Sequence, residues 1–474
     1  MPPDSDRYLE ISRSMCSEYG LPVALRENFE LFNREPDGTP VTTGNIDHSI
    51  ALDFWGRLNK EGFIDFPNII YYSYRILCER PSLTFALACR FAWFLIDEFQ
   101  DTSTSQIEIL RLIAKHKKSK FFLVGDPLQS IYGFAGAHPE LMQTFSQEIE
   151  AATDFKLLAN FRSSNNIIAH AEKLCPRTPP MTAGGNAASF PHQPTYIHSD
   201  SSIEAIVNEF IPAAQNLGID FGECAILAPW WIKLLQVGRE LRARGYPIFG
   251  PGSRPYSRTH IFASLAEQIC SYVEDPNPTA FYRIETELSR MINQITGHWD
   301  YKIYLFEGKR AIFKLIKCAI TLKTECIDGM DWLERSSESF SQIIIDNEFL
   351  PNSAGNVLRE SVNGMKQDMI HRKIDPNTLS IADLGMFANP DKNIKLLTMH
   401  RSKGREFDAV AIIDIHEGRV PHFSAQTVPQ IEEARRLFYV SLTRARKLLM
   451  YITDRDDWRN TPSRFLSDEG LNLL

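Results

Sequence analysis

The sequence has no apolar run of membrane-spanning length, and its eight cysteines form no C-x-x-C pair. The longest apolar candidate, 83–96, is too short for a membrane helix and is interrupted by Arg90. The scattered cysteines argue against a zinc site or a disulfide scaffold. The N-terminus lacks the basic patch and apolar core of a signal peptide. We therefore expect a cytoplasmic protein without a membrane partner.

Positive charge is also in short supply, because the net charge of the 474 residues is −8. A nucleic-acid partner would have to be held by a local basic groove rather than by overall charge. The length predicts two to four domains. An apolar content of 43% and a charged content of 23% are ordinary for a globular protein.

The apolar pattern predicts an α/β fold with helical insertions. Residues 1–90 read as mostly helical, and strands alternate with helices from residue 91 onward, which is typical of parallel doubly wound sheets. The predicted strands are 91–96, 121–124, 224–227, 394–399, 409–413 and 448–452, and a second α/β region begins near Thr195. The predicted helices include 66–77, 106–115, 232–244 and 432–447. Residues 255–390 show no strand alternation and read as a separate helical insertion.

The stretch 91–101 (FAWFLIDEFQD) ends a short apolar run in two carboxylates, Asp97 and Glu98. The run is consistent with a strand covered on both faces of a parallel sheet. Its acids would then emerge at the carboxyl end, where such sheets bind ligands. In a nucleotide hydrolase Asp97 would hold Mg²⁺ and Glu98 would orient or deprotonate water. The alternative is a strand that simply ends in a polar turn.

A second strand runs into 124–137 (VGDPLQSIYGFAGA), a turn rich in glycine. Gln129 can donate to a phosphate oxygen or fix a water molecule without adding charge. Tyr132 and Phe134 are aromatic residues on a loop flanked by glycines, which suits stacking on unpaired bases. The alternative is that both rings belong to the core.

These two stretches resemble motifs II and III of the UvrD/PcrA-type superfamily 1 DNA helicases. Further segments resemble later motifs in the same order: 160–164 (NFRSS) motif IV, 397–408 (LTMHRSKGREFD) motif V and 433–446 (EARRLFYVSLTRAR) motif VI. The resemblance implies two RecA-like domains, the first of them incomplete. The first would comprise a helical insertion region at 1–90 and motifs II–IV within 91–180. The second would comprise 190–254 and 391–474, interrupted by the insertion 255–390.

The resemblance also implies roles for single residues. Asp97 would be the Mg²⁺ ligand and Glu98 the catalytic base of an ATP site. Gln129 would sense the γ-phosphate, and the arginines of motifs IV and VI would reach that phosphate as cationic fingers. The other implied roles are nucleotide-sugar binding by Glu406, single-strand stacking by Tyr132 and Phe134, and a place near the strand for His400. The two finger residues are Arg162 and Arg444, the second expected on the helix 432–447. The alternative for either arginine is a surface charge or ion pair.

The 474 residues contain no G-x-x-x-x-G-K-[ST] loop, with which the family cradles the phosphates of ATP. In RecA-like sheets the strand that bears this loop pairs with the motif II strand. Without it, the strand 91–96 is expected to present unpaired backbone and bare apolar faces. Three explanations are open: a truncated product, a partner chain that supplies the missing part, or a homologue that no longer hydrolyses ATP.

Two functional hypotheses follow. The first is an ATP-dependent DNA helicase or translocase that moves 3′ to 5′ along one strand. The second is a truncated, split or ATPase-deficient homologue that acts as a DNA-binding or interaction subunit. Retention of Glu98, Gln129, Arg162 and Arg444 favours the first, and loss of the phosphate loop favours the second.

Overall fold

The computed structural model describes residues 6–22, 25, 29, 31–42, 46–153, 155–455, 461–467 and 471–473. The chain divides into two compact units. Unit 1 comprises Met1–Asn160, Ala171–Thr182 and Pro421–Val440; unit 2 comprises Phe161–His170, Ala183–Val420 and Ser441–Leu474. This division differs from the predicted boundaries, because Phe161–His170 joins unit 2 and Pro421–Val440 joins unit 1.

The first 90 residues combine helices with a short antiparallel hairpin. The helices are α1 (Asp6–Glu18), α2 (His48–Lys60), α3 (Phe66–Glu79) and α4 (Pro81–Arg90), and the hairpin strands are β1 (Leu31–Arg34) and β2 (Pro40–Thr42). Asp65 caps α3 by accepting from the amide of Asn68 at 3.0 Å, as expected of an aspartate at this position. The hairpin is an addition to the predicted helical region.

The strand predicted at 91–96 forms β3 (Trp93–Ile96), which pairs in parallel with β4 (Lys120–Leu123) and with no other strand among the described residues. Between them lies α5 (Thr104–Ala114), and α6 (Glu140–Glu148) follows. One face of the pair packs on a small core that includes Phe99, Ile107 and Phe145. The other face is open: Trp93 is 55% exposed, Leu95 74% and Phe122 57%. The expected cover on both faces is therefore absent from the described residues.

Unit 2 contains a complete sheet of six parallel strands. In spatial order they are β7 (Thr195–Ser199), β12 (Ala445–Asp454), β11 (Phe407–Ile413), β8 (Cys224–Ala228), β10 (Ile394–Thr398) and β9 (Ile248–Phe249). All five residues of β8 are buried, as expected of a central strand covered on both faces. The parallel sheet confirms the predicted α/β class.

Helices around this sheet and in the insertion complete unit 2. Near the sheet lie α8 (Ser202–Ala205), a π-helical turn (Ile206–Phe210), α9 (Ile211–Asn216) and α10 (Trp231–Ala243). The insertion contains α11 (Ala263–Glu274), α12 (Pro278–Thr296), α13 (Phe306–Glu325), α14 (Gly329–Asp346), α15 (Val357–His371) and α16 (Ile381–Ala388). These six helices share a core that includes Trp332 and Phe340.

The remaining elements correct one predicted boundary. They are β5 (Ala159–Asn160), α7 (Asn165–Leu174), β6 (Thr182–Ala183) and α17 (Val428–Leu442). The helix predicted at 432–447 ends at Leu442, and Ala445 already begins β12. Across the described ranges, every helix is too short or too polar to cross a bilayer.

Candidate functional site

The first group of site residues lies in unit 1 at the carboxyl end of β3. Asp97 follows the strand directly, and its Oδ1 accepts from the amide of Glu98 at 2.8 Å. Glu98 has φ 49° and ψ 40°, the left-handed region that L residues rarely adopt. This conformation costs about 1–2 kcal/mol, and such outliers cluster at functional sites. The backbone thus turns sharply between the two carboxylates.

Gln100 links the ends of β3 and β4. The residue is 1% exposed, its Nε2 donates to Oε2 of Glu98, and its Oε1 accepts from the amide of Asp126 at 2.9 Å. A Cβ on Gly125 would lie 2.8 Å from that Oε1, so glycine is what allows the approach. The buried amide therefore fixes the Glu98 carboxylate relative to the motif III turn.

Asp126 organises the next layer of the site. Its carboxylate accepts from the amide of Leu128 at 3.1 Å, from Nε2 of Gln129 at 2.8 Å and from the guanidinium of Arg177. Arg177 also donates to the hydroxyl of Tyr439 at 3.0 Å. Burial opposes the charge of Arg177, but the hydrogen bonds and charges of Asp126 and Tyr439 together outweigh burial and raise the pKa of the guanidinium above its ordinary value. Gln129 is thereby tied to a carboxylate that a cation holds in place.

The aromatic loop continues from this turn. Phe134 is 43% exposed, and its ring meets Phe32 edge-on at 5.3 Å. Tyr132 lies 6.1 Å from Phe134, and burial together with the carboxylates of Asp101 and Glu98 raises the pKa of its phenol. Phe134 has the exposure that stacking requires, whereas Tyr132 is partly buried.

The second group of site residues lies in unit 2 around Glu406. Its carboxylate pairs with Nε of Arg162 at 2.6 Å and with the guanidinium of Arg446 at 2.8 Å. Hydrogen bonds from these two arginines hold the pKa of the Glu406 carboxyl below its ordinary value. Arg446 also pairs with Asp408 at 3.2 Å and with Glu223 at 3.0 Å. Arg446 therefore pairs with three carboxylates, and Arg162 is ion-paired through Glu406.

Buried serines of motif IV hold Arg162 against the start of β12. The hydroxyl of Ser163 donates to the carbonyl of Ala445 at 2.6 Å, and the amide of Ser164 donates to the carbonyl of Arg446 at 3.0 Å. Both serines are at most 1% exposed. The sequence around Arg162 thus explains how its backbone is fixed to the motif VI segment.

Arg444 is not on a helix, contrary to the prediction. It lies in the turn between α17 and β12 and is 2% exposed. Its guanidinium donates to the carbonyl of Arg405 at 3.3 Å and to the hydroxyl of Thr443 at 3.1 Å. Its backbone carbonyl accepts from the amide of Phe407 at 2.9 Å. These bonds join the motif V and motif VI segments within unit 2.

His400 lies just after β10, in a short 3₁₀ turn (His400–Ser402). The side chain is partly buried, and burial lowers the pKa of its imidazole. A neutral ring at this position could stack on or hydrogen-bond to a base, but it would not neutralise a phosphate.

Asp97 is the residue best suited to bind a metal ion, because it is exposed and the hydrogen bond from the Glu98 amide uses only one of its two carboxylate oxygens. No group of three or more His, Cys, Asp or Glu residues with metal-binding geometry occurs within the described ranges. Mg²⁺ in nucleotide sites is held by one or two carboxylates, water and substrate phosphates. The donors here fit a site of that kind. They do not fit a site in which protein side chains supply every metal ligand.

Sequence reasoning missed several residues that position the predicted ones. Gln100 and Asp126 lie inside the recognised motifs, so a buried amide and a carboxylate next to Gly125 were available signals. Arg177 lies in 175–185, a stretch rich in proline and glycine that reads as a hinge. Its pairing with Asp126 and Tyr439 depends on tertiary structure and leaves no local pattern.

Two family models match the chain in order. The UvrD/REP helicase N-terminal domain matches residues 43–150, and the UvrD-like helicase C-terminal domain matches residues 330–456. The first match contains Asp97, Glu98 and Gln129, and the second contains Glu406 and Arg444.

Curated relatives include DNA helicases from several bacteria. The chain is 27% identical to the ATP-dependent DNA helicase Rep of Buchnera aphidicola subsp. Acyrthosiphon pisum (strain APS), covering 86% of this chain and 71% of the relative. It is 25% identical to DNA helicase II of Escherichia coli (strain K12), covering 86% and 63% respectively. It is 24% identical to the ATP-dependent DNA helicase PcrA of Staphylococcus epidermidis (strain ATCC 35984), covering 88% and 63%. The chain therefore spans about two thirds of the length of these relatives.

Proposed function

We propose that this chain, which two UvrD-type helicase family models match in order, forms the motor of an ATP-dependent DNA helicase or translocase that moves 3′ to 5′. The observation that carries the proposal is the hydrogen-bonded group of Glu98, Gln100, Asp126 and Gln129 at the carboxyl ends of β3 and β4. This group places a carboxylate and an amide side chain on a rigid support, as phosphoryl transfer requires.

In this proposal Glu98 orients or deprotonates the attacking water, and Gln129 contacts the γ-phosphate. Mg²⁺, when bound with the nucleotide through Asp97, would neutralise part of the charge on the phosphates. Gln100 keeps Glu98 in place, and the ion pair of Asp126 with Arg177 keeps Gln129 in place. The chemistry is thus shared between residues that react and residues that position them.

The cations of unit 2 supply the positive charge for the transition state. Arg162 pairs with Glu406 at 2.6 Å, and this carboxylate is held by Arg446 as well. We propose that Glu406 contacts the nucleotide sugar and that the Arg162 side chain binds a phosphate oxygen. In the second finger role, Arg444 would have to become accessible to a phosphate, since it is 2% exposed and donates to Arg405 and Thr443.

The open face of β3 and β4 favours a second candidate function, in which the chain is one part of a split or longer motor. The face exposes Trp93, Leu95 and Phe122, whereas parallel sheets are normally covered on both faces. We propose that a polypeptide carrying a phosphate loop covers this face and completes the ATP site. Without it, the chain would act as a DNA-binding or interaction subunit.

Binding of single-stranded DNA tests the nucleic-acid part of the proposal. Phe134→Ala should weaken binding of a fluorescent dT20 oligonucleotide by about 1–3 kcal/mol, because one base loses its stacking platform. Fluorescence anisotropy at fixed salt measures the change.

Phe85→Ala is the matched control. Phe85 is 48% exposed and meets His116 edge-on at 5.5 Å, much as Phe134 meets Phe32. This variant should bind as the unaltered chain does. Equal affinity of the Phe134 variant and the unaltered chain would contradict the stacking role.

A further inference from the structure

A face of α13 in the helical insertion exposes aromatic and basic side chains together. Its six residues, called here the aromatic–basic face, are Phe306, Lys309, Arg310, Phe313, Lys314 and Lys317, which line a shallow pocket of about 460 Å³. Phe306 is 78% exposed and Phe313 is 60% exposed. The spacing i, i+3, i+4, i+7, i+8 and i+11 puts all six on one side of the helix.

The opposite side of α13 shows that this exposure is not a failure of packing. Ala311, Ile312, Leu315 and Ala319 are at most 1% exposed and belong to the core of the insertion. A surface helix normally carries large apolar residues on its core side and polar residues on the other. Here two phenylalanines lie on the solvent side, so their exposure indicates a binding surface.

The cations of the aromatic–basic face have no acidic partner among the described residues. Lys309, Arg310 and Lys317 form no ion pair within the described part of the chain, and Nζ of Lys314 donates to the neutral amide oxygen of Asn347 at 3.0 Å. Other cations of the insertion are neutralised: Lys323 pairs with Glu274, Arg335 with Glu325 and Lys366 with Glu334. Four uncompensated cations on one helix face are notable in a chain of net charge −8.

Further exposed aromatic residues precede the helix. Trp299 is 60% exposed and Tyr301 is 79% exposed. Phe313 rests on Phe281 with ring centroids 5.4 Å apart, which holds the ring while leaving most of it accessible. Phe306 and Phe313 are two helical turns apart, or about 10 Å along the axis. Aromatic rings therefore alternate with cations along this edge of the insertion.

We propose that the aromatic–basic face binds a segment of single-stranded nucleic acid. Phosphates would lie at Lys309, Arg310, Lys314 and Lys317, and bases would stack on Phe306 and Phe313. Single strands offer π-faces and phosphates at once, and proteins bind them with aromatic platforms in basic grooves. A duplex hides its base faces and would leave both rings unused. The site lies outside the helicase motifs and does not depend on ATP hydrolysis.

Equilibrium binding of the full chain to fluorescent dT20 tests the proposal. The double variant Phe306→Ala/Phe313→Ala should lose about fivefold or more in affinity, the effect of one lost stacking interaction at the low end of its range. The double variant Lys309→Ala/Arg310→Ala should reduce the slope of log K against log salt by about 1.4, which is about 0.7 for each lost phosphate contact. Circular dichroism melting checks that both variants remain folded.

Matched controls are Phe155→Ala, at an 86% exposed phenylalanine of unit 1, and Lys373→Ala, at an exposed lysine that follows α15. Both should leave affinity and salt slope unchanged. Unchanged binding by the two double variants would overturn the proposal. The proposal would also be overturned if the two double variants bound dT20 normally but lost binding to phosphatidylglycerol vesicles or to a poly-glutamate peptide. The face would then bind a membrane or an acidic protein.

Phe134→Ala in the same assay separates this inference from the proposed function. If the α13 variants lose affinity and Phe134→Ala does not, the aromatic–basic face stands and the stacking role of the motif III loop fails. If only Phe134→Ala loses affinity, the inference fails and the proposed function stands.

Discussion

Glu98, the proposed catalytic base, adopts a backbone conformation that is strained for L residues. Its φ of 49° follows directly on the Asp97 carboxylate, and the buried amide of Gln100 holds its side chain. The hydrogen bonds of Gln100 to both Glu98 and Asp126 offset part of the strain. The proposed base is therefore positioned by Gln100, which is buried.

Arg177 should prove essential for the motif III turn. Replacing it by methionine leaves the partly buried Asp126 carboxylate without its cation, which we expect to cost about 1–3 kcal/mol of unfolding free energy. The amides of Gln129 and Ser130, which donate to Asp126 and Pro127, should then exchange hydrogen faster. Denaturant unfolding and hydrogen exchange measure both effects.

Arg111→Met is the control for this prediction. The Arg111 side chain is 22% exposed, like that of Arg177, but its two partners, Glu108 and Glu148, are 29% and 40% exposed, against 22% for Asp126. Exposed pairs contribute about 0–1 kcal/mol. Equal losses of unfolding free energy in both variants, with no change in hydrogen exchange at Gln129, would show that Arg177 only forms an ordinary surface ion pair.

His416 should make the stability of unit 2 depend on pH. Burial opposes its charge, but the carboxylate of Asp414 at 3.6 Å and the Asp454 carbonyl at 2.9 Å raise the pKa of the imidazole above its ordinary value. The folded state then binds the proton more tightly than the unfolded state does. Its stabilisation is full below the unfolded pKa of about 6.5 and is lost as pH rises through the folded pKa.

The measurement is thermal unfolding across that range of pH for the unaltered chain and for His416→Gln. The variant should lose the fall in stability with rising pH, whereas His298→Gln, at an exposed histidine, should retain it. An identical pH profile in the unaltered chain and the His416 variant would exclude His416 as the source.

At the scale of elements, the two sheets contrast in how they are covered. β8 is buried at every position, whereas β3 alternates between partly buried and exposed residues. Phe94 and Phe121 stack at 5.4 Å on the covered face, and Leu95 pairs with Phe122 on the open one. The open face has the apolar composition of a sheet interior, and no layer of the described residues covers it.

Substitutions on the two faces of this sheet should differ sharply in the isolated chain. Leu95→Ala and Phe122→Ala remove exposed side chains and should change the unfolding free energy by less than about 0.5 kcal/mol. Phe145→Ala removes a fully buried ring of α6 that packs on the covered face, and it should cost about 3–5 kcal/mol. Urea unfolding measures all three variants. A large loss at Leu95 would mean that this face is already packed in the isolated chain.

The parallel sheet of unit 2 was predictable because its strands are short apolar runs that alternate with helices. The end of α17 was not: Thr443 to Lys447 continue a helical pattern of charges and apolar residues, but pairing with β11 draws Ala445–Asp454 into the sheet. For the same reason Arg444, which was predicted on a helix, lies in a buried turn. Tertiary pairing overrode local propensity there.

The site could be predicted where the chemistry is local in sequence. Asp97, Glu98 and Gln129 follow strand ends. Their surroundings are compatible with the proposed roles in metal binding, water activation and phosphate contact. The partners that hold them could not be predicted, because Arg177 and Tyr439 lie far along the chain from Asp126. Likewise, nothing local announces that Glu406 pairs with both Arg162 and Arg446.

For the molecule as a whole, we propose that this chain supplies the base, the sensor and the cationic residues of a helicase motor and that another polypeptide segment supplies the phosphate loop. The 474 residues contain no such loop, and the open face of β3 and β4 is the proposed place for the polypeptide that bears it. Catalysis should therefore depend on a second component.

ATP hydrolysis stimulated by single-stranded DNA tests this claim most directly. The purified chain should show little or no turnover, and adding a polypeptide with a G-x-x-x-x-G-K-[ST] strand and helix should restore it. Glu98→Gln should abolish the restored activity. Robust turnover by the chain alone, eliminated by Glu98→Gln, would contradict the account.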